Sequence, residues 1–360
     1  MPYLETSKVF LLALAFGGQA DVHALIWGSR FTSYSLKASG VSLFSTSHEK
    51  GLVDTLSSTS FDPASLLDAS ASADLGPFVE NDVDPSVTFN KLQGRLLKSV
   101  RQLSLDYKML EDGDHIMVCV SGGKDSATLL YLLRILQQKL PINFDITAVH
   151  VDQKQPGYNG TSLVEWLRDD MKVDYEIVEE DTYSIVVEKT APNKSYCTVC
   201  SRLRRGILYS KAIDLKCNKI ALGHHADDCL ETAMLNMIHA GQLKGMPARY
   251  TSHAREVPLA VIRPLMMSME SDIAEFARLA DFPILPCNLC SNQANLQRPQ
   301  VKLLLSTLQS LNPQAKQNML RSLQTVKPSH LLDQSLREAC GMDPVTGALE
   351  ENENDSEFNF

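Results

Sequence analysis

The stretch His115–Ser126, HIMVCVSGGKDS, decides the fold of this chain. Its first half is an apolar run with the length of one β-strand. Its second half holds two glycines, a lysine and two serines, and a helical pattern over Ala127–Leu140 follows it. A strand, a glycine-rich loop and a helix in this order indicate an anion site, because the N–H groups at the start of a helix are free to bind phosphate.

Strands and helices alternate along the chain on both sides of this loop. The predicted strands are His115–Val120, Phe144–Val151, Asp174–Val178 and Lys219–Leu222. The predicted helices are Lys91–Lys108, Ala127–Leu140, Ser162–Met171, Cys200–Leu215 and Asp227–Ile238. Apolar strands separated by helices of this length are typical of βαβ units. The pattern therefore predicts an α/β fold, with a doubly wound and mostly parallel sheet that is covered on both faces.

Composition divides the chain into three parts. Residues 1–85 carry 4 basic and 10 acidic side chains and are rich in Ser, Thr, Asp and Ala, so we interpret them as a disordered or targeting-like extension. Residues 86–310 form the predicted nucleotide-binding domain, and residues 311–360 are predicted to be helical and then an acidic, disordered tail. The net charge of the 360 residues is −9, but 86–349 hold 30 bases and 28 acids, so charge does not exclude a nucleic-acid partner.

No apolar run approaches the roughly 18 residues that a membrane-spanning helix needs. The run Val9–Phe16 resembles the apolar part of a signal peptide, but its flank has Glu5 against Lys8 and no net positive charge. We therefore expect a cytoplasmic protein that does not interact with membranes.

The loop 121–126 has the chemistry of a phosphate site. Its glycines let the backbone approach an anion closely, Lys124 adds a point charge, and the serines add hydroxyl donors. The Walker A pattern G-x-x-x-x-G-K-[ST] is absent. The alternative is an ordinary glycine-rich turn in which Asp125 caps the helix. The predicted nucleotide-binding residues are Ser121, Gly122, Gly123, Lys124, Asp125 and Ser126.

Four of the eight cysteines form two C-x-x-C pairs, Cys197 with Cys200 and Cys287 with Cys290. Cysteines this sparse do not indicate a secreted domain held by disulfides. Each pair lets both sulfurs reach one metal ion, and spacing alone leaves a structural zinc, an iron–sulfur cluster and a redox disulfide open. The remaining cysteines are predicted to pack as small hydrophobic side chains: Cys119, Cys217, Cys229 and Cys340.

Further polar residues follow the predicted strands. Asp125 and Asp228 are candidate Mg²⁺ ligands, because hard cations bind carboxylate oxygen. Asp152 and His224 are candidate contacts to a nucleotide. A basic surface able to bind RNA phosphates comprises Arg95, Lys98, Arg101, Arg202, Arg204, Arg205, Arg298 and Lys302.

Several motifs, in order, resemble those of one enzyme family. SGGKDS resembles the PP-loop of the N-type ATP pyrophosphatases, whose fold is of the adenine nucleotide alpha-hydrolase-like type. With VDQKQPGY at Val151–Tyr158, GHHADD at Gly223–Asp228 and the two cysteine motifs, the chain resembles the tRNA-cytidine(32) 2-sulfurtransferases over roughly Phe89–Gln309. It departs from the family at Ala127, where an aromatic residue is frequent, and at Ser291, where glycine is expected.

The resemblance implies an enzyme, an ATP-dependent tRNA sulfurtransferase that makes 2-thiocytidine at position 32 of the anticodon loop. It implies adenylation of the C2 oxygen of cytidine and displacement of AMP by sulfide. Lys124, Asp125 and Cys290 are the implied catalytic residues.

The resemblance also implies cofactors and partners. A [4Fe-4S] cluster would be held by Cys197, Cys200 and Cys287, with Cys290 beside it and available for sulfur relay. ATP and Mg²⁺ would bind at the PP-loop. The implied partners are tRNA, a cysteine desulfurase as sulfur donor, and a second copy of the chain in a homodimer.

Other functions remain open from the residues alone. A 2-thiouridine synthase of the same superfamily would share the loop but carries additional zinc-finger cysteines, and a lysidine synthase needs no cysteine pairs. A structural-zinc RNA-binding protein without ATP turnover would keep the cysteines. The intact Lys124 and Asp125 argue against this last alternative.

Overall fold

A computed structural model describes the chain at 9–16, 19–27, 31–37, 44–45, 85–190, 196–253, 257–285 and 297–349. The predictions for Cys287, Cys290 and Ser291 lie outside the described residues. For Cys197 only the backbone is described. The chain divides into two units, Met1–Asn81 and Asp82–Phe360.

The first unit contains an antiparallel sheet in the order β1-β2-β3-β4. Its strands are β1 (Val9–Phe16), β2 (Gln19–Trp27), β3 (Phe31–Lys37) and β4 (Phe44–Ser45). These strands differ from the disorder that composition predicts within 1–85. The physical reason lies in the sequence of β1, VFLLALAF, an apolar run of strand length whose Val and Phe residues suit a strand. The interpretation of 1–85 as an extension stays a prediction.

The second unit contains a six-stranded sheet in the order β7-β6-β5-β8-β10-β9. Its strands are β5 (Asp114–Cys119), β6 (Phe144–Asp152), β7 (Asp174–Glu179), β8 (Lys219–Ala221), β9 (Arg249–Ser252) and β10 (Leu259–Ile262). Every neighbouring pair is parallel except β9 with β10. The predicted α/β, mostly parallel fold is confirmed.

Ten α-helices of the described residues accompany this sheet. They are α1 (Pro85–Asp106), α2 (Lys124–Lys139), α3 (Thr161–Glu165), α4 (Thr182–Lys189), α5 (Cys197–Asp214), α6 (Ala226–Leu235), α7 (Glu270–Leu279), α8 (Gln297–Leu311), α9 (Ala315–Ser322) and α10 (Gln334–Ala339). Each predicted helix is present, with ends that differ by up to six residues. π-helical turns at Trp166–Met171 and Asn236–Ala240 complete the predicted helices that α3 and α6 begin.

The strand order places the glycine-rich loop at the switch point of the sheet. From β5 the chain moves outward to β6 and β7, and it then returns to add β8 on the other side of β5. The connections after β5 and after β8 therefore leave the sheet in opposite directions and open a crevice between them. In open parallel sheets this is the position where ligands bind.

Both faces of the sheet are buried. Ile116 and Val118 of β5 point into one hydrophobic core, in which the rings of Phe89 on α1 and Phe276 on α7 stack 5.0 Å apart. Met117 of β5 points to the other face and packs with residues of α5. This alternation explains why the strands read as continuous apolar runs.

The four cysteines outside the C-x-x-C pairs do not all pack as predicted. Burial raises the pKa of Cys119 to about 12 and that of Cys217 to about 11, and Cys229 is also buried. Cys340 is exposed, so the prediction for it is wrong. It follows α10 on a segment that lies away from the hydrophobic cores.

Among the described helices none is long and apolar enough to cross a membrane.

Candidate active site

The loop after β5 is closed by its own serines. Ser121 donates its N–H to Oγ of Ser126 over 3.0 Å, and the two hydroxyl oxygens lie 3.1 Å apart. The Ser126 hydroxyl donates to the carbonyl oxygen of Gly123 over 2.9 Å. Gly122 has φ of +84°, and its carbonyl accepts the N–H of Leu285 over 2.9 Å. The residue types of the loop thus determine its backbone shape.

Gly223, in the connection after β8, lets that connection approach the loop. A Cβ atom at this position would lie 3.0 Å from the backbone nitrogen of Ser126 and 3.1 Å from the carbonyl carbon of Asp125. Both neighbours are backbone atoms that cannot rotate away. Glycine is therefore required where the two connections meet at the switch point.

Lys124 points to two carboxylates. Its Nζ lies 3.1 Å from Oδ1 of Asp125 and 3.2 Å from Oε1 of Glu270, the first residue of α7. The other oxygen of Glu270 lies 2.7 Å from Nζ of Lys302 on α8. Burial works to raise the pKa of Glu270, but hydrogen bonds from Lys302 and Lys124 outweigh it and lower the pKa to about 2. Glu270 is thus a carboxylate that joins the loop to α8.

Asp228 is already engaged on both oxygens. Oδ1 lies 3.1 Å from Nη1 of Arg298, and Oδ2 accepts the backbone N–H of His225 over 3.2 Å. Arg298 also approaches Glu231, with 3.5 Å between Nε and Oε2. As a candidate Mg²⁺ ligand, Asp228 would have to exchange its arginine partner for the cation.

Asp125 differs from Asp228 in having an unused oxygen. Its Oδ1 is buried and accepts no hydrogen bond among the described residues. The ammonium of Lys124 lies 3.1 Å from this oxygen and Nε2 of His225 lies 3.7 Å from it. A buried carboxylate oxygen with free accepting capacity is the donor that a hard cation such as Mg²⁺ prefers. Of the two candidate ligands, Asp125 fits the cation better.

His224 is uncharged at neutral pH. Burial, and next the nearby charge of Arg263, lower its pKa to about 4, although Asp228 works in the opposite direction. Its Nδ1 is buried and has no hydrogen-bond partner among the described residues. A neutral imidazole can offer this nitrogen to a ligand as a donor or an acceptor.

Asp152 is placed at the end of β6 and pairs locally. It accepts the N–H of Lys154 over 2.8 Å and lies 3.2 Å from the Lys154 ammonium. It does not line the cavity next to the loop. The described residues therefore do not bring Asp152 together with Asp125 and Asp228 around that cavity.

Cys200 is buried one turn into α5, with polar groups around its sulfur. Sγ lies 3.4 Å from Nη2 of Arg204, which donates to it, and 3.5 Å from Oε1 of Gln153. Gln153 follows β6, so the first C-x-x-C pair lies beside the carboxyl end of the sheet. The sulfur thus lies between a cationic donor and an amide oxygen.

A cavity of about 450 Å³ joins these parts. Ser121, Asp125 and Ser126 line it from the loop, and His224 and Asp228 line it from the connection after β8. Side chains of α5, of β9 and of the residue that follows β10 also line it: Arg204, Arg205, Tyr209, Tyr250 and Arg263. Its volume is within the range of small-ligand sites.

The basic surface predicted from the sequence is partly neutralised by carboxylates. Arg95 lies 2.8 Å from Asp272, and Arg298 and Lys302 bind the carboxylates described above.

Two residues of the site, Glu270 and Arg263, were not predicted from the sequence. The sequence holds one signal for Arg263: it follows the apolar run of β10, as Ser121 follows the apolar run of β5. Because β10 has only four residues, this run is too short to predict a strand.

Comparison with known proteins identifies the family. A PP-loop domain model matches residues 92–298. A tRNA-cytidine(32) 2-sulfurtransferase of Vibrio cholerae is 49% identical over 261 residues, which cover 72% of this chain and 83% of that protein. Another, of Idiomarina loihiensis, is 51% identical over 249 residues, covering 69% and 82%. The chain belongs to the tRNA-cytidine(32) 2-sulfurtransferase family.

Membership of the 2-sulfurtransferase family confirms the predicted PP-loop fold and the predicted enzyme class, a tRNA sulfurtransferase. Among solved structures, the chain is similar to the U34-tRNA thiolase NcsA of Methanococcus maripaludis with its [4Fe-4S] cluster. The TM-score is 0.53 and the identity 23%, over 66% of this chain and 78% of that chain. At this identity the similarity concerns the fold alone.

Proposed function

We propose that this chain thiolates C2 of cytidine 32 in the tRNA anticodon loop at the expense of ATP. The observation that carries the proposal is the position of Arg204. This side chain lines the cavity beside Ser121 and Asp125 and also donates to Sγ of Cys200 over 3.4 Å. Arg204 thus connects the cavity beside the loop to the sulfur of Cys200, which supports a reaction that uses a nucleotide and then a sulfur donor.

In the first step, the C2 oxygen of cytidine attacks the α-phosphorus of ATP. The new O–P bond forms as the bond to pyrophosphate breaks, and the C2 oxygen becomes part of a leaving group, AMP. Lys124 and the N–H groups of the loop stabilise the negative charge that develops on the phosphates. Glu270 supports this step by orienting the Lys124 ammonium, which lies 3.2 Å from its Oε1.

Mg²⁺ would bind the ATP phosphates together with Asp125. The unpartnered Oδ1 of Asp125 supports this assignment. Asp228 enters the same site if Arg298 releases it. His224 is a further proposed nucleotide contact, neutral at physiological pH because burial lowers its pKa to about 4. Asp152, which lies outside the cavity lining, would reach a nucleotide only beyond that cavity.

In the second step, sulfide attacks C2, the C–S bond forms, and the C–O bond to AMP breaks without any change of oxidation state. Cys197, Cys200 and Cys287 would hold a [4Fe-4S] cluster, which would supply sulfide for this step. The buried Cys200 thiol with its Arg204 donor fits a thiolate ligand. Cys290 is proposed to take part in sulfur relay.

The remaining assignments are part of the same proposal. A cysteine desulfurase supplies the sulfur, tRNA is the substrate, and two copies of the chain form a homodimer in the cytoplasm. Residues 86–310 form the catalytic domain, between an N-terminal extension and a C-terminal segment at 311–360.

Anaerobic purification tests the sulfur site. We expect about four iron and four acid-labile sulfide per chain, as in a [4Fe-4S] cluster, and a loss of both in Cys200→Ser. Cys340→Ser is the matched control, because this thiol is exposed and far from the cavity lining. Stoichiometric zinc without sulfide would instead favour a structural-zinc protein.

The activity test uses the holoenzyme with ATP, a sulfide source and unmodified tRNA, followed by nucleoside analysis. We expect 2-thiocytidine, AMP and pyrophosphate in equal amounts. Formation of 2-thiouridine would move the assignment to another thiolase of the superfamily. ATP-independent RNA binding without any thionucleoside would contradict the proposal.

A further inference from the structure

Arg263 is a buried cation that the proposed reaction has not yet used. It follows β10, which lies next to β8 in the sheet, and its residue exposure is 7%. Nη1 donates to the carbonyl oxygen of Pro247 over 2.6 Å, and the guanidinium lies 5.2 Å from the centre of the Tyr250 ring. Nε is buried and has no hydrogen-bond partner among the described residues. The side chain lines the 450 Å³ cavity.

No carboxylate of the described residues lies within 4.0 Å of this guanidinium. Lys124 and Arg298 differ in this respect. Lys124 faces Asp125 and Glu270, and Arg298 faces Asp228. Buried charges in proteins are normally paired, because an unpaired ion loses its hydration without compensation.

The surroundings of Arg263 add positive charge. Arg205 lines the same cavity, and after burial its charge is one of the effects that lower the pKa of Arg263, while Tyr250 works in the opposite direction. His224 lies close enough for the charge of Arg263 to help lower its own pKa. Such a concentration of cations on one cavity wall indicates a bound anion as the missing partner.

The carboxylates of the cavity do not supply that partner. Asp125 lies 3.1 Å from the Lys124 ammonium and Asp228 lies 3.1 Å from Nη1 of Arg298, and neither forms an ion pair with Arg263 among the described residues. The planar guanidinium is also the side chain best suited to phosphate oxygen, since it can donate two parallel hydrogen bonds.

We propose that Arg263, with Arg205 beside it, binds a phosphate group of a substrate in this cavity, at an anion subsite separate from the loop 121–126. The phosphate comes either from the nucleotide or from the RNA, and this choice of sources rests on the proposed function. The subsite itself needs only a phosphate-bearing ligand.

Calorimetric titration of the full chain tests the subsite. The probes are inorganic pyrophosphate, an ATP analogue with an α,β-methylene bridge, and unmodified tRNA. We expect Arg263→Gln to weaken at least one of these Kd values by about 10- to 100-fold, the range for a lost hydrogen bond to a charged group, and Arg263→Lys to recover part of it. A loss for pyrophosphate and the ATP analogue identifies the nucleotide as the source, and a loss for tRNA alone identifies the RNA backbone.

Arg249→Gln is the matched control. Arg249 lies on the neighbouring strand β9 and also donates to backbone carbonyls, those of Tyr107 and Lys108, but it does not line the cavity. We expect its Kd values to equal those of the wild type. If the role of Arg263 were purely structural, Arg263→Gln would lower the Tm of the protein without ligand, but ligand binding would still raise the Tm by as much as in the wild type.

Arg205→Gln keeps the test decisive if Arg263→Gln does not fold, because Arg205 is exposed and its replacement leaves the core intact. We expect a smaller loss of affinity, about 3- to 10-fold, as for a partly solvated charge contact. The proposal is overturned if the wild type binds none of the three probes, or if the variants that fold bind all three as the wild type does. If the variants lose affinity as expected but the wild type forms no 2-thiocytidine, the proposed function is contradicted and the anion subsite is not.

Discussion

The ammonium of Lys124 lies 3.2 Å from Oε1 of Glu270, a residue 146 positions further along the chain. This contact couples the glycine-rich loop to the first turn of α7. Through its second oxygen, 2.7 Å from Lys302, Glu270 extends the coupling to α8. The lysine of the loop is therefore oriented by the tertiary fold and not by its own loop alone.

Glu270→Gln is expected to reduce kcat/KM for ATP by about 10-fold, because one charge-assisted hydrogen bond to Lys124 is lost and such a bond contributes about 1.5–3 kcal/mol. Steady-state thiolation kinetics at varied ATP concentrations measure the change. Glu275→Gln on the same helix is the control, since Glu275 pairs only with Arg278 at the surface. Equal kinetics for the two variants would contradict a positioning role for Glu270.

The stability difference between the wild type and Glu270→Gln is expected to depend on pH. The folded-state pKa of Glu270 is lowered to about 2 from 4.5, so its ion pairs stabilise the fold fully above pH 4.5 and are lost as the pH falls toward 2. The wild type is therefore expected to unfold at higher urea concentration than Glu270→Gln at pH 7, and the difference should shrink between pH 4.5 and pH 2. A difference that stays constant over this range would show that the carboxylate charge is not the cause.

Gly223→Ala is expected to disturb the junction of the two connections at the switch point. The new Cβ would lie 3.0 Å from a backbone nitrogen of Ser126, so the loop must move. We expect KM for ATP to rise at least about 10-fold, since displacements near 1 Å in a site cost up to about 100-fold. Gly94→Ala in α1 meets nothing within 4 Å and should leave KM unchanged while stabilising the helix.

Asp125→Asn is expected to weaken the binding of Mg²⁺ to the active site. The substitution removes the charge of the one site carboxylate whose oxygen accepts no hydrogen bond among the described residues. We expect the Mg²⁺ concentration for half-maximal activity to rise about 10-fold or more, as for the loss of one charged ligand. Titration of activity with Mg²⁺ measures this, with the surface variant Asp272→Asn as control. An unchanged Mg²⁺ requirement would assign the cation to other ligands.

Local patterns predicted much of the fold. Each strand and helix named from the sequence is present, because apolar periodicity reports the burial of one element at a time. The strands β9 and β10 and the helix α7 escaped notice, since four-residue strands carry too little periodicity and α7 follows directly on an apolar segment.

The antiparallel strands within 9–45 were also not among the elements named from the sequence. Average composition over 1–85 indicated disorder, whereas pairing depends on the order of residues within short runs such as Val9–Phe16. An average over 85 residues hides a strand of eight.

The sequence by itself determined the strands and helices named above, the loop 121–126 and the family, because each depends on residues close together in the chain or on motifs in a given order. Only the tertiary structure decided that Glu270 holds Lys124 and that Arg298 pairs with Asp228. It also decided that, among the described residues, Oδ1 of Asp125 accepts no hydrogen bond and Arg263 has no carboxylate partner. Those facts depend on which side chains meet across the sheet, and the free energy of a charge depends on its neighbours in space.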